Sequence, residues 1–138
     1  SSDVCSSDLL DEKEVPINVF TTSNGYTRNV MFRNENYEVI IIKWPKGVSS
    51  PIHDHANRGC CMVMLDGELI ETRYKIMSKE LETSMVTSVQ NVKKYNVSFI
   101  ENKEGIHKIE NKSNDDAFSL HIYSPPLHKA KYFKEDNS

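Results

Sequence analysis

The 138-residue sequence predicts an all-β fold in a single domain, closed as a small barrel. Three observations lead there. Short segments rich in β-branched and aromatic residues recur along the chain, most clearly at 37–44 and 117–123. Turn signals separate them at fairly even spacing, as at Arg33-Asn34-Glu35-Asn36, Pro45-Lys46-Gly47 and Ser124-Pro125-Pro126. No stretch shows a helical period with caps, apart from a short turn in the first twenty residues. Many short strands in this rhythm indicate a sandwich or barrel, and a small barrel has room inside for one ligand or metal.

Residues 1–9 repeat Ser-Ser-Asp without apolar periodicity and are expected to be disordered or foreign to the domain, leaving 10–138 as the folded unit. Residues 9–22 are weakly patterned. Strands are expected at 26–32 and 37–44, then within 47–67, and at 68–76, 85–89, 95–100, 106–111 and 117–123. A polar loop fills the gap up to about Thr83, and turns are expected at 101–105 and 112–116. Asp66-Gly67, between two apolar runs, is a type I′ hairpin signal.

Composition narrows the function classes. A net charge of −3 with no basic stripe argues against nucleic acid as a partner. No apolar run reaches the length of a membrane span or a signal-peptide core. The three cysteines are odd in number, and Cys60 and Cys61 are adjacent. Neighbouring cysteines rarely bond each other, so no disulfide framework is expected, and the compartment is expected to be the reducing cytoplasm.

Residues 47–67, GVSSPIHDHANRGCCMVMLDG, hold the densest chemistry. In extended backbone His53 and His55, at i and i+2, share a face and can grip one metal ion. The same three letters also suit a polar loop without metal. His107 begins a strand and is either a surface residue or a third ligand brought from across the barrel. Three neutral imidazoles would leave a metal its full charge and open positions, suiting an anionic substrate such as a thiolate. Ser119, His121 and Tyr123 alternate with Leu120 and Ile122 along one strand. That polar row is either an exposed sheet face or, if buried, a hydrogen-bonded relay. Arg28 lies inside a strand, where it is either solvated or placed to hold a carboxylate in a two-pronged grip.

Taken together, these residues resemble cysteine dioxygenase, the thiol dioxygenase branch of the cupin superfamily. The first cupin motif, G-x5-H-x-H-x(3,4)-E-x6-G, is matched by Gly47, His53, His55 and Gly67, with Cys60 in place of Glu as in that family. Gly105-Ile106-His107-x3-Asn111 is similar to the second motif without its upstream Pro-x-Gly. Ser119-Leu120-His121-Ile122-Tyr123-Ser124-Pro125-Pro126 resembles the family's late strand, and Tyr26-Thr27-Arg28-Asn29 its arginine-bearing segment. The match runs from about Tyr26 to Pro126. Family members usually have a helical segment before the first strand, here reduced to about twenty weak residues, so the chain looks like a short bacterial-type member.

The resemblance implies a cupin, jelly-roll-like barrel with little or no N-terminal helix. It implies Fe(II) on His53, His55 and His107, substrate carboxylate on Arg28 with Tyr26 beside it, and Tyr123 backed by His121 and Ser119. Cys60 and Tyr123 are the implied partners of a thioether crosslink. The implied reaction oxidises L-cysteine with O2 to cysteine sulfinic acid, in a cytoplasmic protein expected to be a monomer without nucleic-acid or membrane partners. The alternatives are a 3-mercaptopropionate dioxygenase, whose relatives usually carry Gln at the Arg28 position and lack the cysteine at position 60, a metal-binding cupin of another class (isomerase or non-enzymatic barrel), and a degenerate family member without turnover.

Overall fold

The structure, a computed structural model, describes residues 18–21, 24–100 and 105–136. The expectation for residues 1–9, and most of the turn expected at 101–105, lie outside the described residues. Among those described, every regular element is a strand. In order they are β1 (Asn18–Thr21), β2 (Thr27–Arg33), β3 (Glu38–Trp44), β4 (Ile52–His53), β5 (Cys60–Asp66) and β6 (Leu69–Ser78), then β7 (Thr83–Val92), β8 (Val97–Ile100), β9 (Ile106–Glu110), β10 (Ala117–Tyr123) and β11 (Tyr132–Glu135). No helix among them is long and apolar enough to cross a membrane.

Six strands form one sheet in the order β1-β2-β3-β10-β5-β8. The other five close on themselves in the order β11-β4-β9-β6-β7, the circuit completed by a parallel pairing of β11 with β7. Strand alternation gives the six-stranded sheet two apolar faces. Ile40, Ile42 and Trp44 of β3 and Met62 and Met64 of β5 join Val30, Leu69, Val92 and Ile109 in the inner core. Val39, Leu120, Ile122 and Cys61 form a second cluster on the outer face. The first shields the site from water, while the second braces β10, the central strand that carries much of the polar row.

Two features depart from the sequence expectations. First, β5 and β6 are not partners, because β5 pairs with β8 and β10 while β6 pairs with β7 and β9. Asp66-Gly67 is therefore a corner where the chain leaves one sheet for the other, not a hairpin tip. A type I′ turn needs positive φ at both residues, and here Gly67 has it (77°) while Asp66 does not. Second, strands occur at β1 and β11, where no confident element was read. β11 is too polar to announce itself, and it is held by pairing with both β4 and β7.

Asn111, the last residue of the second motif, is buried and uses all its polar valences. Its Nδ2 donates to the Trp44 and Asp115 carbonyls at 2.8 Å each, and its Oδ1 accepts from the Ser113 amide and hydroxyl. It thus shapes the turn between β9 and β10 and ties that turn to the end of β3.

The corner at Gly67 can be tested. A Cβ there would lie 3.0 Å from Ala117 Cβ and 3.1 Å from the Asp116 carbonyl oxygen, on a residue with positive φ. Gly67→Ala should destabilise the protein by about 2 kcal/mol or more. Gly47 also has positive φ but open space around its Cβ, so Gly47→Ala should cost about 1 kcal/mol. Urea unfolding of the two variants gives the comparison. Equal losses would show that the close approach to Ala117 contributes nothing.

Candidate functional site

The site begins with three imidazoles from three places in the chain. His53 ends β4 and stands opposite His107 of β9 in the strand register. His55 follows just beyond β4, where the strand has already ended, and is almost wholly buried. The ring centroids are 4.9, 4.8 and 4.5 Å apart, and one ligand nitrogen from each falls within 4.8 Å of the others. The two-residue spacing of His53 and His55 thus brings them together as expected, although β4 covers only the first.

Their hydrogen bonds decide which nitrogens face inward. His53 Nδ1 donates to the Pro51 carbonyl and His55 Nδ1 to the Gly105 carbonyl, each at 2.9 Å. His107 Nδ1 donates to Glu71 Oε2 at 2.6 Å. All three partners can only accept, so each Nδ1 carries the proton and each Nε2 keeps its lone pair. The Nε2 atoms of His55 and His107 lie 3.1 Å apart, a separation that suits two bonds of about 2.1 Å to one ion. Burial, then electrostatic repulsion from the neighbouring His107 ring, lowers the pKa of His53 to about 3. The same two causes hold His55 well below its ordinary value. A set of neutral nitrogen donors with converging lone pairs fits a divalent transition metal.

The second wall of the pocket is the polar row of β10. Ser119 and His121 are buried and Tyr123 half-buried, so the row faces inward. Trp44 Nε1 donates to Ser119 Oγ at 2.8 Å. Trp44 has no acceptor to offer in return, so the buried serine hydroxyl directs its proton to its other partner, His121 Nε2, at 2.7 Å. Burial keeps His121 neutral by pushing its pKa well down. Its Nδ1 therefore carries the proton and donates to the Tyr123 hydroxyl oxygen at 3.1 Å. The phenol proton is left for Cys60 or for a pocket ligand. Burial, then the nearby Cys60, holds the Tyr123 pKa well above its usual value, so the phenol stays protonated.

Cys60 stands directly opposite Tyr123 in the β5–β10 register, with its Sγ 4.0 Å from His121 Nδ1. Burial, then the Glu71 carboxylate, pushes its thiol pKa up. Cys61 packs in the outer-face cluster and is disulfide-bonded. No disulfide framework was expected, and this one bonded cysteine departs from that expectation. Strand alternation turns Cys61 away from Cys60.

Arg28 of β2 sits opposite Ile42 and lines the same pocket as Tyr26, Tyr123 and the three histidines. Its guanidinium carbon is 5.8 Å from the centre of the Tyr123 ring. Tyr26 packs on Trp44 with ring centres 4.5 Å apart. The structure thus brings together all nine residues singled out from the sequence.

Other residues of the site escaped the sequence analysis. Glu71 of β6 is fully buried and bonded to His107. The available signal was its position at i+2 from the inward-facing Leu69, which places a carboxylate on the core face. His128 Nε2 and Asp54 Oδ1 are hydrogen-bonded at 2.9 Å in the pocket wall, and Asp54 also accepts from the Lys131 amide. This contact spans 74 residues and leaves no local signature.

Comparison with known proteins follows from this geometry. Residues 10–136 match the family described as cysteine dioxygenase type I. Cysteine dioxygenase type 1 of Danio rerio is 34% identical over 113 residues, covering 80% of this chain and 56% of that protein. The Homo sapiens protein of the same name is 34% identical over 112 residues, with the same coverage. The chain therefore spans little more than half the length of these relatives. An RmlC-like cupin from Shewanella frigidimarina superposes with a TM-score of 0.64 at 13% identity, covering 85% of this chain and 88% of the other. KdgF from Halomonas sp. superposes with a TM-score of 0.62 at 11% identity, covering 78% and 86%. These two likenesses establish the cupin barrel.

The buried histidines set a pH dependence for the metal-free protein. His53, His55 and His121 are neutral when folded but have an ordinary value of 6.5 when exposed. Between about pH 6.5 and 3 the unfolded chain binds more protons, so stability falls as the pH falls through that window. The slope is about 1.4 kcal/mol per pH unit for each proton taken up. Urea midpoints should therefore fall steeply from pH 7 to 5.5, with an uptake approaching three protons. A flat profile would show that these rings already charge in the folded state.

Proposed function

The chain belongs to the cysteine dioxygenase type I family, and on that premise we propose that it oxidises L-cysteine with O2 to cysteine sulfinic acid at an iron(II) ion. His53, His55 and His107 would hold the iron. The observation that carries this reading is one pocket shared by the three inward Nε2 atoms, Arg28, Tyr123 and His121, with Ser119 bonded behind His121. Bound iron would supply the Lewis acidity that lowers the substrate thiol pKa and the redox chemistry that activates O2.

The residues of this chain do the rest. Arg28 holds the substrate carboxylate in a two-pronged grip, and Tyr26, stacked on Trp44, lines the same pocket. Tyr123 acts as a neutral donor. Its oxygen accepts from His121, so its own proton can go to the substrate sulfur or to the oxygen developing there. Ser119 and Trp44 fix the His121 ring so that this donor does not wander. The inner core excludes water from one side of the pocket. Cys60, which faces Tyr123 in the strand register, would form a thioether between its Sγ and a ring carbon of the tyrosine. Forming that bond removes one hydrogen from the thiol and one from the ring, two protons and two electrons in all, which O2 takes up to give hydrogen peroxide, and its mark is a peptide pair two hydrogens lighter by mass spectrometry.

Discrimination by Arg28 gives the test. A buried guanidinium left unpaired costs roughly 3–5 kcal/mol. Arg28 is only half-buried, so about 2 kcal/mol is the better figure, or roughly 30-fold in kcat/KM. Iron-loaded protein should consume O2 with L-cysteine and form stoichiometric cysteine sulfinate, with cysteamine at least about 30-fold poorer. Arg28→Ala should bring the two substrates close together. Comparable rates in the unaltered protein would overturn the role of Arg28. A preference for 3-mercaptopropionate would overturn the choice of cysteine.

A further inference from the structure

We propose that Glu71 is the positioning residue of the metal site, setting the ring orientation and tautomer of His107 and supplying the one fixed negative charge behind a ligand. This rests on the reading that His53, His55 and His107 bind a divalent metal. His53 and His55 lean on neutral backbone carbonyls, whereas His107 leans on a carboxylate. Glu71 has no exposed surface, and both of its oxygens are committed. Oε2 accepts from His107 Nδ1, and Oε1 accepts from Ser98 Oγ and Gln90 Nε2, each at 2.6 Å, with Arg73 Nε at 3.5 Å.

The hydrogen-bond donors come from β7, β8 and β9, so three other strands hold this β6 carboxylate in place. A buried carboxylate is costly unless its lone pairs are all engaged. An apolar residue would fill the same space more cheaply if the task were packing alone. The carboxylate gives what an apolar residue cannot. It demands a proton on His107 Nδ1, which leaves Nε2 free to bind metal. It also partly offsets the charge of an ion held by three neutral nitrogens. The bond runs sideways across the β6–β9 pair, where Glu71 stands opposite Ile109 and Arg73 opposite His107. Glu71 therefore reaches His107 on the diagonal, and Arg73 turns away to the Phe99 carbonyl and Ser98.

The test uses the full chain with Co(II) as the metal probe. Glu71→Gln keeps the shape but places an amide where both His107 and Gln90 offer donors. Co(II) affinity, read from its visible absorption, should fall roughly 10- to 100-fold. Nitrogen NMR of the metal-free protein should show His107 protonated on Nδ1 in the unaltered chain and shifted toward Nε2–H in Glu71→Gln, a change that a purely structural role would not cause. Glu71→Asp, which keeps the charge but withdraws it by one methylene, should fall between the two. It also serves as the second measurement if Glu71→Gln does not fold. If the unaltered protein binds Co(II) and the variants bind it equally well with the tautomer unchanged, the proposal is overturned. If the unaltered protein binds no metal, the three-histidine reading itself fails, and the role of Glu71 toward a metal fails with it.

Discussion

The arrangement depends on three imidazoles, each of which must offer the same nitrogen to one point in space. A neutral histidine has two tautomers of similar energy, and only an acceptor at Nδ1 leaves Nε2 free as a ligand. The fold provides three such acceptors from unrelated parts of the chain: the Pro51 carbonyl, the Gly105 carbonyl and Glu71. Two are backbone atoms and tolerate sequence change. The third is a side chain, and it needs a supporting network to stay charged in the interior. Burial pushes the Glu71 pKa up, but the bond and electrostatic attraction of His107, the bond from Ser98 and the Arg73 guanidinium outweigh it and hold the pKa at about 2.

β10 organises the opposite wall by the same logic. Its outward side chains, Leu120 and Ile122, lock the strand into an apolar layer. Its inward side chains can then form a polar line whose direction is set from one end. Trp44 offers a proton and nothing else, so the line runs from Trp44 through Ser119 and His121 to Tyr123. Every buried polar atom of this line finds a partner, which is what makes such a line tolerable inside a barrel. Trp44 has a second task, since its ring carries Tyr26 and its carbonyl receives Asn111. One residue of β3 therefore links the core, the polar line and the turn that follows β9.

The elements that local pattern revealed were those with strong β-branched runs. The strand expected at 117–123 coincides with β10, and that expected at 37–44 is β3 with one more residue at its start. β11 and the corner at Gly67 were misjudged for a common reason. Their conformations are imposed by partners distant in sequence, β4 and β7 for one, and Ala117 for the other. Asp-Gly between apolar runs is a sound hairpin signal only when the two runs pair with each other, and here they belong to different sheets.

By itself the sequence determined the barrel class, the polar and apolar sides of each strong strand, and the nine residues whose spacing and likeness to a family marked them for chemistry. Those properties are local, because strand alternation over two to five residues already decides which side chains share a face. The tertiary structure alone decided which nitrogen of each histidine is free, which way the Ser119–His121–Tyr123 line points, and that Glu71 stands behind His107. Those are matters of hydrogen-bond satisfaction between groups up to 75 residues apart, and no local pattern records them. A buried donor takes whatever acceptor the fold brings to it, and only closure of the barrel brings these together.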